Sequence, residues 1–485
     1  MQNLKITFVL LCVLCVSVVN SFTQETPPAP SAPKPVTVPA VKERKLRNGL
    51  TVAVVQKTAT PIVTIQLLVK CGASCEDESK AGLADITASM LTKGTKTRTA
   101  TQIAEAMEFL GGSISSGAGW NSSFVSVTVT SDKVDQAMAI LADVVLNPKF
   151  DQKELDLLKS QTLDGLTYNL KQPSFLANYA ASKYSFGEHP AGGTPTSINS
   201  ITREAIESFY LANFTAPSSV LVFTGEIDPA KAASLSISTF SKMSKVKKPE
   251  QRELLMLSSR PIDFSKLPNR LLVVDLPKSG QASVGYFKRT ASQGRRSPIY
   301  YPASVLNSVL GGGYSSRLNM EIRIKRGLSY GAGSSFGWRS NSLNFSTRAQ
   351  TKNESASQVA ELTLEEIKRL TNSNVVNDEL IPRKSVLTGG FGRNLETTAG
   401  LASAIGDLYA FGIPTSELNK YVDNVNSVTN AKIREFATQH LTAGDIIIVG
   451  DYSIFKDDLA KRFPAMKIEV IKADELDLSK ENLRK

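Results

Sequence analysis

Histidine is nearly absent from this chain of 485 residues: there are two, His189 and His440, far apart in sequence. Two imidazoles that grip one metal from a single helix must sit about one turn apart, so that arrangement is excluded. Cysteine is scarce too. Cys12 and Cys15 fall in an apolar leader, and Cys71 and Cys75 are the remaining thiols; their spacing permits either a disulfide in an oxidising compartment or two buried apolar thiols. No zinc finger, basic zipper or aromatic-studded basic stripe occurs, so nucleic acid is not an expected partner. Charge of one sign is only mildly in excess: 56 Lys+Arg against 45 Asp+Glu give +11. Such a solvated basic surface could draw acidic membranes, peptides or a partner subunit. With 41% hydrophobic and 21% charged residues, ordinary globular cores are expected and wholesale disorder is not.

The front of the chain carries an address. Lys5 precedes an apolar run from Ile6 to Val19, followed by Asn20 and Ser21, which reads as a secretory signal peptide over residues 1–21. The run is short for a spanning helix, which needs ~20 residues; an uncleaved leader would nonetheless give a route to membrane association. The first arginine is Arg44, which argues against an Arg-rich mitochondrial presequence. An extracytoplasmic location, periplasmic or secreted, is therefore expected. Residues 27–39, PPAPSAPKPVTVP, contain six prolines and no aromatic residue, so 22–43 reads as an extended spacer.

Beyond the spacer the chain repeats itself. The two tryptophans both follow glycine, as Gly119-Trp120 and Gly337-Trp338, and each precedes an alternating strand, Phe124–Val129 and Leu343–Thr347. Each strand leads into an amphipathic helix, through Val134, Ala137, Ile140 and Leu141 and through Val359, Leu362 and Ile367. Thr202, Ile206 and Phe209 then match Thr429, Ile433 and Phe436 at one constant offset, and VLVFTGE matches IIIVGD. Polar, proline-broken SKVKKPEQRE at 244–253 opens a linker.

The expected organisation is thus two duplicated α/β (α+β) domains, 44–250 and 267–473, with a linker at 251–266 and a polar tail at 474–485. Each should be a mostly antiparallel or mixed sheet with helices on one face. Thr99 with Gln102 predicts a capping box, and Gly111-Gly112 a helix end. Gly311-Gly312-Gly313 lacks a following Gly-Lys-Ser/Thr and reads as a flexible connection, not a phosphate loop.

The stretches AGLADITASMLTKGT (81–95), TATQIAEAMEFLGG (99–112), FGEHPAG (186–192) and SSRLNMEIRIKRGLSYGAGSSF (315–336) together resemble the M16, or pitrilysin and insulinase-type, peptidase family. The resemblance spans about residues 44 to 470 and implies tandem domains arranged like a clamshell, with a peptide chamber often completed by a second subunit. Active members carry an inverted zinc motif, H-x-x-E-H, whose histidines project together while the glutamate activates zinc-bound water. Here the equivalent positions hold Asp85, Ala88 and Ser89. The family's third ligand should fall near Gly165, but no glutamate lies between Glu154 and Glu188. Ser89 is a weak neutral ligand and Ala88 cannot take a proton, so no metal is expected on this chain and zinc is expected on a partner.

The resemblance also implies a surviving pair, Arg323 and Tyr330, that holds the substrate backbone. A guanidinium keeps its charge, and a phenol can donate to a developing oxyanion while neutral. The residues alone allow a plainer role: Arg323, Lys325 and Arg326 decorating a helix C-terminus, with Tyr330 packed in a sheet. His189, in a Gly-Pro loop, and His440, at a helix end, read as structural. The expectation is a non-catalytic, substrate-contacting subunit of a secreted M16-type zinc peptidase, partnered by a chain bearing the intact motif. The alternative is an extracytoplasmic peptide-binding or scaffold protein on the same fold. An independently active peptidase is disfavoured by the missing ligands.

Overall fold

The structure is a computed structural model and describes residues 38–246, 270–480 and 482–485. The expected signal peptide, most of the spacer and the linker at 251–266 lie outside the described residues. Among those described, no helix is long and apolar enough to cross a membrane.

Each half forms one six-stranded mixed sheet. The first is built from β1 (Lys42–Lys45), β2 (Thr51–Gln56), β3 (Ile62–Val69), β4 (Ser113–Ala118), β5 (Ser123–Thr130) and β6 (Ser219–Gly225), in the order β1-β2-β6-β3-β5-β4. The second uses β7 (Leu271–Asp275), β8 (Ala282–Ala291), β9 (Ser329–Trp338), β10 (Ser342–Thr351), β11 (Asp445–Gly450) and β12 (Ile468–Lys472), in the order β12-β7-β11-β8-β10-β9. The duplication is exposed in the pairings: β2 runs parallel to β6 as β7 does to β11, and the remaining inner contacts are antiparallel in both. The outermost strands differ, since β1 pairs antiparallel with β2 whereas β12 runs parallel to β7. β1 begins at Lys42, just inside the stretch expected as spacer.

Local chemistry explains the elements. β6 and β11 carry the apolar runs Val220–Phe223 and Ile446–Val449 and bury every residue, as central strands covered on both faces should. β5 alternates buried and half-buried residues, with Val125, Val127 and Val129 inward. Thr99 and Gln102 form the capping box, and Gly111 takes φ +65°, a conformation that suits glycine at a helix end. The repeated threonines are N-caps: Thr202 accepts from the Ala205 N–H and Thr429 from that of Lys432.

The helices expected over the sheets are present, Val134–Leu146 in the first half and Ala356–Asn372 in the second, each burying its apolar stripe. The opposite faces are covered by exchange. Helix Pro173–Tyr184 of the first half packs on β8 and β11, with Leu176, Ala177 and Ala180 buried among Leu272, Phe287, Ile447 and Val449. Helix Thr398–Ala410 of the second half packs on β3 and β6, where Thr398 meets Thr64 at 2.8 Å and accepts from the Thr224 hydroxyl at 2.8 Å. A fully buried leucine such as Leu176 contributes ~1.5–3 kcal/mol, so the exchange makes each half part of the other's core.

The two Gly-Trp turns also meet, through the Asn121 side-chain N–H donating to the Trp338 carbonyl at 3.0 Å. Buried Glu188 accepts from Arg339 at 3.0 Å and Asn344 at 2.9 Å across the same boundary. The segment expected as a polar tail folds back instead. Leu478 and Leu483 are buried and Arg484 donates to the Val470 carbonyl at 2.7 Å, because two leucines suffice to cover the rim of the cross-half core.

Candidate functional site

The first half places Asp85, Ala88 and Ser89 on helix Leu83–Leu91. That helix starts after Gly82, at φ +92°, and its leading N–H groups are claimed by a buried carboxylate: Glu76 accepts from Gly82 at 2.8 Å and from Ala84 at 2.6 Å. An anion at a helix N-terminus is favoured by the unsatisfied N–H groups and the helix dipole. His189 Nε2 reaches the same carboxylate at 3.1 Å and its ring packs on Trp120, 5.0 Å between centroids. Asp85 accepts from the Ala118 N–H at 3.1 Å; burial raises its carboxyl pKa, with that hydrogen bond opposing. Ala88 is fully buried, and the Ser89 carbonyl accepts from Thr92 at 3.2 Å. Gly165, on helix Gln152–Asn169, faces open space.

A zinc ion does not fit this corner. Asp85 is the one carboxylate among the three positions and its Oδ1 already accepts from Ala118, Ala88 carries no donor atom, and Ser89 offers only a weak neutral hydroxyl. Among the described residues no group of three or more His, Cys, Asp or Glu could hold a metal. The sulfurs of Cys71 and Cys75 face one another with Cα atoms 5.7 Å apart, a span a disulfide bridges. His440 ends helix Asn430–His440 with its ring 5.0 Å from that of Phe436; burial lowers its pKa.

The second half brings Arg323 and Tyr330 together through two backbone irregularities. Arg323 lies on a π-helical turn, Asn319–Ile324, a widened geometry often found at functional sites. The turn ends at Gly327, φ +63°, where Gly327 N–H donates to the Arg323 carbonyl, the single bond of a left-handed helix cap, and Leu328 N–H to that of Ile322, both 2.9 Å. β9 then begins with a bulge: Ala349 pairs with Ala332 and Thr351 with Ser329, so Tyr330 and Gly331 together oppose Gln350. A bulge kinks the strand and re-aims its side chains. Tyr330 emerges 90% exposed.

The Arg323 guanidinium lies between two rings, 4.8 Å from the Tyr330 centroid and 5.1 Å from that of Tyr314. Asn319, buried, ties the parts together: its Nδ2 donates to the Tyr314 carbonyl and its Oδ1 accepts from Ala332 N–H at 3.2 Å. The neighbouring cations are spoken for. Lys325 and Arg326 pair with Glu321, and Arg317 forms a two-pronged bridge to Glu379 at 2.7 and 2.9 Å. Arg323 lies in the last turn of the π-helix Asn319–Ile324, where the plainer reading puts it, and pairs with no carboxylate among the described residues. It borders a cavity of about 770 Å³ that also touches Ser174, at the start of the helix contributed by the first half. Gly311 is more than a flexible connector, since its carbonyl accepts from Ser334 N–H of β9 at 3.1 Å and a Cβ there would collide with that strand.

The family model for the insulinase peptidases, family M16, matches residues 51–178, and that for the peptidase M16 inactive domain matches residues 200–384. The chain belongs to the M16 family. A Rickettsia felis protein named an uncharacterized zinc protease is 27% identical over 390 residues, covering 79% of this chain and 91% of its own length. A similarly named Mycobacterium tuberculosis protein is 26% identical over 381 residues, with 77% and 84% covered. The solved peptidase M16 inactive domain from Pseudomonas fluorescens is 25% identical with TM-score 0.75, covering 85% of this chain and 98% of its own. A Helicobacter pylori protease shares the fold, at TM-score 0.76 and 17% identity over 85% and 100% of the two chains.

Within this M16 chain, Tyr314, Asn319 and Arg348, which also borders the cavity, escaped the sequence reading. Asn319 and Tyr314 belong to the motif SSRLNMEIR or just precede it, but nothing in their spacing reveals a shared strand contact. Arg348 was detectable only as a charge in an alternating strand.

Proposed function

We propose that this chain is a non-catalytic, substrate-contacting subunit of an extracytoplasmic M16-type zinc peptidase. The zinc motif and the water-activating glutamate belong to a partner chain. Arg323 and Tyr330 contact the peptide: the guanidinium donates to backbone carbonyls, and the phenol O–H donates to an oxygen on which charge builds. The observation that carries this reading is the unpaired Arg323, held between two tyrosines at an open cavity. A guanidinium oriented by rings and left without a carboxylate is ready to donate. The leader supports the extracytoplasmic placement.

A second reading, a peptide-binding or scaffold protein without any peptidase partner, rests on Asp85, Ala88 and Ser89 standing where the zinc motif would be. Isolation of the native complex separates the two. A co-isolated M16 chain carrying H-x-x-E-H supports the subunit reading, and bound peptide without such a chain supports the other. In the reconstituted pair Arg323→Ala should cut peptide turnover sharply with folding intact; unchanged hydrolysis would remove the assigned role. Cleavage by the single chain, abolished by chelator and restored by zinc, would overturn both.

A further inference from the structure

We propose that the cavity beside Arg323 accepts a carboxylate of the bound peptide and that Arg348 selects it. This rests on the peptide-contact reading and gives it a substrate class. The cavity, about 770 Å³, is bordered by two guanidiniums, Arg323 and Arg348, and by no Asp or Glu. A recess with cationic donors and no internal anion favours an anionic guest.

The strand places Arg348 there. Along β10 successive side chains alternate between faces, so Asn344, Ser346, Arg348 and Gln350 share one face. Ser346 lies opposite Phe287, which packs under the exchanged helix Pro173–Tyr184. Arg348 is therefore on the cross-half face, exposed beyond the start of that helix. Its cross-strand partner is Gly333, which has no side chain to cover the guanidinium. Among the described residues Arg348 has neither an ion pair nor a hydrogen-bond partner. By contrast Arg270 and Arg317 are each held by a carboxylate, Asp445 and Glu379.

The internal repeat shows that the fold does not require this charge. Gly225 ends β6 as Gly450 ends β11, and the residues just before them pair with Thr64 and Ser283, so these two correspond; Thr64 pairs in turn with Thr128 and Ser283 with Gln350, and counting back two residues, Ser126 occupies in the first half the place of Arg348. Ser126 pairs with Ser115 where Arg348 pairs with Gly333. Two small hydroxyl residues serve the same sheet position in one half; a cation facing a glycine serves it in the other. The guest is a carboxylate from either an acidic side chain or a peptide C-terminus.

Three peptides of equal length, each labelled with the same uncharged boron-dipyrromethene dye, test the proposal by anisotropy with the full chain at low ionic strength. One is neutral and capped at both ends, one is capped with a single internal glutamate, and one is neutral with a free C-terminal carboxylate. At least one carboxylate peptide should bind about tenfold tighter than the neutral one, ~1.4 kcal/mol, and which one does identifies the source. Arg348→Gln should erase the advantage. Arg348→Glu should favour a lysine-bearing peptide. Arg434→Gln, at an exposed arginine outside the cavity lining, should keep the advantage. Equal binding of all three peptides, weakened throughout by Arg323→Ala, would overturn the carboxylate proposal and leave peptide contact standing. An advantage that survives Arg348→Gln also overturns it. No binding of any peptide would remove the underlying reading, and this one with it.

Discussion

The corner around helix Leu83–Leu91 and the corner around the π-turn Asn319–Ile324 sit in halves of one design, but they distribute polar groups in opposite ways. In the first, each acid is consumed locally: Glu76 by two helix N–H groups and His189, Asp85 by Ala118. In the second, Arg317, Lys325 and Arg326 find carboxylates, while Arg323 and Arg348 border a cavity and pair with none among the described residues. A buried polar group with its partners made is structural; a charge left unpaired at an open cavity is available to a ligand. The difference is between a corner tied into the framework and one that leaves two guanidiniums facing a cavity without a protein carboxylate.

The sharpest way to break this comparison is at Glu76. Glu76→Ala orphans two buried helix N–H groups and should cost about 3 kcal/mol of stability, read as a lower denaturation midpoint. A midpoint equal to the parent's would mean the first corner is not held this way. Next, Arg323→Ala should slow peptide hydrolysis by the reconstituted pair about 10²-fold, the usual loss for one charge-stabilising donor, with the midpoint unchanged. Tyr330→Phe keeps the ring against Arg323 and removes only the donor, so turnover should fall about tenfold while peptide affinity holds.

At Asp85 the comparison turns on pH. Burial raises the folded-state pKa above the unfolded value, so the folded chain holds the proton more tightly. The stabilising contribution is present below the unfolded pKa and is lost as pH rises from there through the folded pKa. Asp85→Asn keeps an acceptor for Ala118 and should flatten that acid-side dependence, with a small rise in midpoint at neutral pH. Urea midpoints across the acid range would reveal the slope, and an unaltered slope would contradict the burial argument. The smallest effect belongs to Lys325→Ala. Its exposed bridge to Glu321 contributes ~0.5 kcal/mol or less, and turnover should stay within about twofold of the parent.

Much of the fold was legible because the repeat is carried by residues with strong local preferences. Thr202 and Thr429 cap helices wherever they occur in that context, and the runs in β6 and β11 are too apolar to lie anywhere but inside. Asp85, Ala88 and Ser89 share the helix Leu83–Leu91, as their spacing of three and one residues implied. The exchange of helices was not legible. The stripe of Leu176, Ala177 and Ala180 requires an apolar sheet face but does not say whose. Leu478 and Leu483, in a stretch dominated by polar residues, likewise show no destination until the rim of the second sheet is present.

Sequence alone determined the duplicated mixed-sheet plan and the absence of a clustered imidazole site, because backbone propensity, capping and ligand chemistry act over a few residues. Only the tertiary structure decided which helix covers which sheet. It also decided that Arg323 meets both Tyr314 and Tyr330, and that Arg348 shares their cavity. Those outcomes depend on a π-turn, a one-residue bulge and a glycine across the strand, which set direction and proximity between side chains distant in sequence.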